Sequence, residues 1–263
     1  SNGVIRDGLL KGKTGKVAVC DLFCTTPLGF SRGDDTMGYP LITFYLYAHE
    51  IKKTMEVLTS IYPKKGSNFF LQVSGIKFKY NPNRVIFDRV TDIWLGNEEE
   101  GYIPLDYSES NRNLYRVATN IYNATFLSYV GRFTYGILNI VPKDRKGNPI
   151  VPKAPTGNPF DLLLSLRVDA DKVKPGIQEL KEWMVVMDYV KSFPDKNRDG
   201  IPDIPEKYRG KLGRIVREPS WNPISLLSKG TYVTWIVFGV VIGLFVSLGF
   251  AVLLFSRKMK KKS

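Results

Sequence analysis

Ligands for transition metals are nearly missing from this chain. Two cysteines, Cys20 and Cys24, and one histidine, His49, exclude a disulfide framework, a zinc arrangement of cysteines and a cluster for a catalytic transition-metal centre within these residues. The four-residue spacing of the cysteines permits a bridge only where the local backbone turns to suit it. His49 falls in a helical pattern, where a surface or packing role is the alternative to ligation. Acidic residues are also short: 25 Asp and Glu face 38 Lys and Arg, a net charge of +13. Five of those positive charges sit in the last seven residues, leaving +8 for the rest. That balance suits anionic partners without naming them, and no nucleic-acid-binding motif accompanies it, so nucleic acid is not expected as a partner.

Charge is absent altogether from Tyr232 to Phe255, and Arg257, Lys258, Lys260, Lys261 and Lys262 follow at once. About 20 apolar residues span the hydrocarbon core as a helix, so residues 231–255 are expected to cross a lipid bilayer once. The basic tail, 256–263, is expected in the cytoplasm and the amino-terminal domain outside it, at a cell membrane. Gly239 and Gly243 form a small-xxx-small pair, continued by Ser247, that could let two such helices approach in a homodimer; the alternative is the ordinary glycine content of spanning helices. No charged-then-apolar leader stands at Ser1, and the outward-facing domain is therefore expected to be the carboxy-terminal part of a longer protein.

Between Pro40 and Pro63, Leu46, Ile51, Met55, Leu58 and Ile61 lie near helical spacing, which predicts a helix. Strands are predicted at Phe69–Val73, Ile76–Tyr80, Val90–Leu95, Leu114–Thr119 and Gly136–Val141, short β-branched and aromatic runs separated by Gly, Pro and Asn, with a strand-like run at Leu162–Val168. Ile177, Leu180, Met184, Met187 and Val190 mark a further helix over 176–192. The expected units are a domain at 1–145, its extension at 146–217, and a linker at 218–230 leading into the span.

Residues 195–206 follow the calcium-loop pattern, with side-chain oxygens on Asp195, Asn197, Asp199, Asp203 and Glu206, the carbonyl of Ile201 at the seventh place and Gly200 at the sixth. Hard cations need several oxygens converging on one point, and the glycine permits the turn that brings them together. Pro202 and Pro205 prevent a following helix from starting in the usual way, so a bound Ca2+ would staple a turn. The alternative is a polar turn without metal.

Four segments carry a family resemblance. Ser1-Asn2-Gly3-Val4-Ile5-Arg6, Thr26-Pro27-Leu28-Gly29-Phe30, Phe70-Leu71-Gln72-Val73-Ser74-Gly75 and Tyr115-Arg116-Val117-Ala118-Thr119-Asn120 resemble, in order and spacing, motifs of the carboxy-terminal domain of the 5′-nucleotidase family. The resemblance implies an α+β, mixed-sheet domain that binds substrate for an upstream metallophosphatase domain of the same polypeptide. Divalent metal ions held by that upstream domain would activate water for hydrolysis of a nucleotide or related phosphoester. It also implies that this segment holds no catalytic group of its own and acts by positioning substrate. Arg6 falls on the arginine that contacts phosphate, a task for a planar, permanently charged fork. Tyr122 falls on one of two rings that sandwich the base, with a core aromatic as the alternative. The other ring falls on Leu28, the asparagine of that turn on Phe30, and the ribose-binding carboxylate on Ser128. Phe30, Tyr122, Phe126 and Tyr129 are then candidates to line a different apolar pocket. The reading from another class is a non-catalytic cell-surface module stiffened by calcium.

Overall fold

The computed structural model describes residues 3–10, 12–31, 33–151 and 159–260. Its elements in order are α1 (Val19–Thr25), β1 (Leu41–Tyr47), α2 (Ala48–Ser60), α3 (Tyr62–Lys65), β2 (Ile76–Tyr80), β3 (Val90–Asn97), β4 (Gly101–Pro104), β5 (Leu114–Asn120), α4 (Ile121–Phe133), α5 (Pro159–Leu164), α6 (Glu182–Lys191), β6 (Ile215–Arg217), α7 (Pro223–Leu227) and α8 (Tyr232–Lys260). The fold is α+β. Among the described residues, β1 and β5 form an antiparallel pair, and a mixed sheet runs in the order β4-β3-β2-β6 with β6 parallel to β2.

The stretch expected as one helix after Pro40 divides in two. Leu41–Tyr47 buries every second residue, Ile42, Phe44 and Leu46, a period-two pattern of β-branched and aromatic side chains that makes β1. The period then changes: Glu50 accepts a hydrogen bond from the Tyr47 N–H at 2.9 Å, closing the start of α2. Ile51, Met55 and Leu58 of α2 pack on Ile42, Phe44, Phe78, Val90 and Ile93 to make the core. Burial of one such side chain stabilises the fold by about 1.5–3 kcal/mol.

Strands form at β2, β3 and β5 as predicted, but three predicted strands do not. Phe70, Leu71 and Val73 lean on the core without a ladder partner, after a 3-10 turn at Ser67–Phe69. In Gly136–Val141 the N–H of Gly136 bonds back to the carbonyl of Gly131 at 2.8 Å to end α4, and Leu138 and Ile140 are buried from an irregular segment. Within 162–168 the first residues belong to α5, and only Arg167 and Val168 extend alongside β1. Short apolar runs satisfy a core from any backbone conformation, which is why periodicity misassigns them. The helix expected over 176–192 begins at Glu182, because Leu180 and Lys181 are extended and bonded to β1 and its entry.

Residues 218–230, expected as a linker, are tied to the domain. Ser220 and Asn81 exchange two hydrogen bonds, at 2.9 and 3.1 Å. The guanidinium of Arg84 donates to the carbonyls of Ser225 and Ser228, at 2.8 and 2.6 Å. Asp88, fully buried, accepts from Lys52 at 2.7 Å, from the Thr231 N–H at 2.6 Å and from the Thr234 hydroxyl at 2.5 Å. The start of α8 is thus held by a carboxylate from the body of the protein. Val233 and Thr234 are buried at its start, and the residues from Trp235 to Leu254 are exposed; the apolar stretch Tyr232–Leu254 is long and apolar enough to cross a membrane.

Candidate functional site

Asn120 ends β5 and begins α4. Its side-chain oxygen accepts the N–H of Asn123 at 2.8 Å, capping the helix, and its amide donates to Glu182 at 2.8 Å. That cap places Tyr122 in the first turn of α4, half-exposed. The ring of Tyr122 stacks on Tyr39, with centroids 5.2 Å apart and planes at 24°, and meets Phe126 edge-on at 5.1 Å. Pro40 biases the residue before it to an extended backbone, and the Tyr39 carbonyl accepts the Glu182 N–H at 3.1 Å.

The turn at Leu28-Gly29-Phe30 lies against the Tyr39 ring. Gly29 has φ +97, and a Cβ built on it would stand 2.4 Å from the Tyr39 ring, so the close approach requires glycine. Gly38 N–H bonds the Gly29 carbonyl at 2.8 Å, and Phe30 bridges to Met37, closing a hairpin whose exposed tip holds Asp34 and Asp35. Trp183 of α6 fixes that hairpin by donating from its indole to the Met37 carbonyl at 3.0 Å and packing edge-on against Phe23 of α1. Lys181, Glu179, Arg167 and Asp34 make an ion-pair network beneath it.

Arg6 enters from the amino-terminal segment, which is pinned where Val4 is buried and the Arg6 N–H bonds the Thr25 carbonyl at 2.9 Å. Its side chain is exposed and, among the described residues, makes no hydrogen bond or ion pair. It lies close enough to act on Tyr39: burial pushes the Tyr39 phenol up from its ordinary value, with Tyr122 and Glu182 adding to the rise and the charge of Arg6 opposing it. A guanidinium without a partner among the described residues is free to take an anion through its planar fork.

The structure therefore brings Tyr122 and the Gly29 turn against Tyr39 and Phe126 against Tyr122, with the charge of Arg6 reaching the Tyr39 phenol. Leu28 is half-buried and supplies no ring. Phe30 points to solvent, 63% exposed, on the hairpin. The side chain of Ser128 lies outside the described residues. Tyr39 and Glu182 were missed by the sequence reading, and the one signal for Tyr39 is an aromatic held between Gly38 and Pro40.

The profile of a family described as 5′-nucleotidase, C-terminal domain matches residues 1–127. Residues 1–127 belong to that family. This 5′-nucleotidase C-terminal domain contains Arg6, Leu28, Tyr39, Tyr122 and Phe126, whereas Glu182 comes from beyond the match. Among solved structures, the chain is similar to the 5′-nucleotidase precursor from Thermus thermophilus, at 22% identity and a TM-score of 0.46, covering 82% of this chain and 31% of that one. It is also similar to the NAD nucleotidase of Haemophilus influenzae, at 14% identity and a TM-score of 0.40, covering 78% and 27%. The chain thus spans about a third or less of each of these proteins. No curated protein sequence matches it.

The loop at 195–206 forms a tight turn. Asp195 accepts the N–H groups of Asp199 and Gly200, Asn197 that of Asp199, and Asp199 that of Ile201. Asp203 turns to the Lys196 N–H, Asp199 pairs with Lys16 at 3.0 Å, and Glu206 pairs with Arg209 at 2.9 Å. Among the described residues, no group of three or more His, Cys, Asp and Glu converges closely enough to hold a metal ion. Cys20 and Cys24 are free, exposed thiols on α1, and His49 stacks on Tyr47.

Proposed function

We propose that this chain is the membrane-anchored, substrate-binding part of an extracytoplasmic phosphoesterase, in which an upstream metal-bearing domain performs the hydrolysis. The observation that carries the reading is the exposed guanidinium of Arg6, without a partner among the described residues and close enough for its charge to act on Tyr39 of the Tyr39 and Tyr122 stack, in a domain of the 5′-nucleotidase family. Arg6 takes the phosphate through paired N–H donors, and the aromatic rings face the leaving group. Nucleotides and related phosphomonoesters are the substrate class. Residues 232–254 cross the bilayer, with the basic tail on the cytoplasmic side. Gly239 and Gly243 leave room for a second helix, since nothing lies within 4 Å of a Cβ at either.

The test is phosphate release by the full-length polypeptide with added divalent metal, across nucleotides and non-nucleotide phosphomonoesters. Arg6→Ala is expected to lower kcat/KM by roughly tenfold or more, the worth of a charged hydrogen-bond pair. Release that does not change in Arg6→Ala would remove Arg6 from the site. No release on any substrate would sink the enzyme reading.

A second reading, a calcium-stiffened surface module without catalysis, is favoured by one observation: Tyr39 already covers a face of Tyr122 that a base would need. A cation at 195–206 would have to draw Asp199 from Lys16 and Glu206 from Arg209. Tyr189 and Phe193, which lead into the loop, pack with Tyr208 beyond it, so calcium titration followed by tyrosine fluorescence and melting tests that step. No change in either signal would remove calcium from the account.

A further inference from the structure

Helix α4 carries aromatic rings at Tyr122, Phe126, Tyr129 and Phe133, steps of four, three and four that put them on one face. Their exposure rises along the helix, from 36% and 37% at Tyr122 and Phe126 to 51% at Tyr129 and 78% at Phe133. Single exposed apolar side chains are ordinary on a protein surface, but a continuous row marks an interaction site. One end of the row is the candidate site, where Tyr122 stacks on Tyr39 and the charge of Arg6 reaches the Tyr39 phenol. The other end lies at the root of α8: the hydroxyl of Tyr232, its first residue, reaches the Ile137 carbonyl at 3.5 Å, just past the end of α4. From Tyr122 to Phe133 the row covers roughly 17 Å at the helical rise.

We propose that α4 is a track for the apolar tail of a bilayer-resident phosphomonoester, whose phosphate sits at Arg6 and whose alkyl chain lies along the row back to the membrane. The inference deepens the phosphoesterase reading and rests on it, and on residues 232–254 crossing a bilayer. An alkyl chain needs non-directional apolar contact, which aromatic side chains supply.

The full chain in phosphatidylcholine nanodiscs would be titrated with ethyl, octyl and dodecyl phosphate and with dodecanol, with empty nanodiscs as background. Affinity is expected to rise by as much as roughly fourfold for each methylene buried. Phe133→Asp, at an exposed position, should weaken dodecyl phosphate at least tenfold and leave ethyl phosphate unchanged, while Arg6→Ala weakens every phosphate. Equal affinity for ethyl and dodecyl phosphate, both sensitive to Arg6→Ala, would overturn the track and leave the phosphate site standing. Dodecanol binding as tightly as dodecyl phosphate, with no effect of Arg6→Ala, would overturn both and make the row a bilayer contact alone.

Discussion

Asp88 accepts a hydrogen bond from the backbone N–H of Thr231 at 2.6 Å, across 143 residues of sequence. The first N–H groups of a helix have no partner inside it and carry partial positive charge, so a carboxylate placed there stabilises the helix start. Asp88 comes from the turn before β3, so α8 is capped by the body of the domain. Its own charge is balanced by Lys52, which also pairs with Glu56 at 3.1 Å. The domain is therefore seated on α8 in one orientation, and the Arg84 contacts to Ser225 and Ser228 hold the approach to it.

Removing that carboxylate should loosen the seat. Asp88→Ala leaves Lys52 and Arg84 buried beside the lost charge and the Thr231 N–H without its acceptor. A cost of about 3–5 kcal/mol is expected, as for one partner removed from a buried pair. Urea unfolding in detergent measures it, and limited proteolysis within 218–230 should accelerate; unchanged cleavage would mean that Asp88 does not hold this segment.

Gly29→Ala should disturb the site from its rear wall. The backbone there is left-handed, φ +97, and the added methyl would meet the Tyr39 ring at 2.4 Å. A loss of about 1–3 kcal/mol is expected from the backbone conformation alone. The near-UV circular dichroism of the Tyr39 and Tyr122 pair should weaken with it, and an unchanged spectrum would place Tyr39 elsewhere.

His49 gives the fold a pH dependence near neutrality. Burial holds the imidazole below its ordinary value of 6.5, and its Nδ1 is buried without a hydrogen-bond partner. As pH falls through 6.5 the unfolded chain takes up the proton first, so this contribution leaves stability intact above that pH and erodes it below. His49→Gln should flatten this part of the stability profile, read by thermal unfolding at several pH values; a wild-type profile without slope there would refute it.

Glu98 should titrate far lower. Arg214 donates to both its oxygens, at 2.7 and 2.9 Å, holding the carboxyl at about 2. Because the folded value lies below the unfolded one, the associated stability is present above the ordinary value of 4.5 and lost as pH falls towards 2. Carbon-detected NMR titration should find Glu98 near 2 in the wild type and close to its ordinary value in Arg214→Ala.

Parts of the fold were legible in the order of residues. The β-branched and aromatic runs of β2, β3 and β5, bounded by Gly, Pro and Asn, and the 3.6-residue stripe of α2 are each set by neighbouring residues, and that record is local. β4 and β6 left no such record: both are short, and β6 exists because Phe78 to Tyr80 offers it a parallel edge. At the candidate site, Arg6 and Tyr122 stand in or next to segments that resemble family motifs. Tyr39 was not legible, because its role comes from stacking on a residue far along the chain, and Ile177 was misplaced because an apolar residue outside a helix can mimic its stripe.

Composition and spacing were enough to establish the charge-free run that becomes α8 and the basic residues after it, and four ordered segments carried the resemblance to a 5′-nucleotidase C-terminal domain. These are properties of neighbouring residues. Folding in three dimensions was needed to bring Tyr39 into the space beside Tyr122, to join Glu182 from outside the matched domain, and to set Asp88 as the cap of α8. Each depends on side chains brought together across long stretches of chain, and close packing, which no local period encodes, selects such partners.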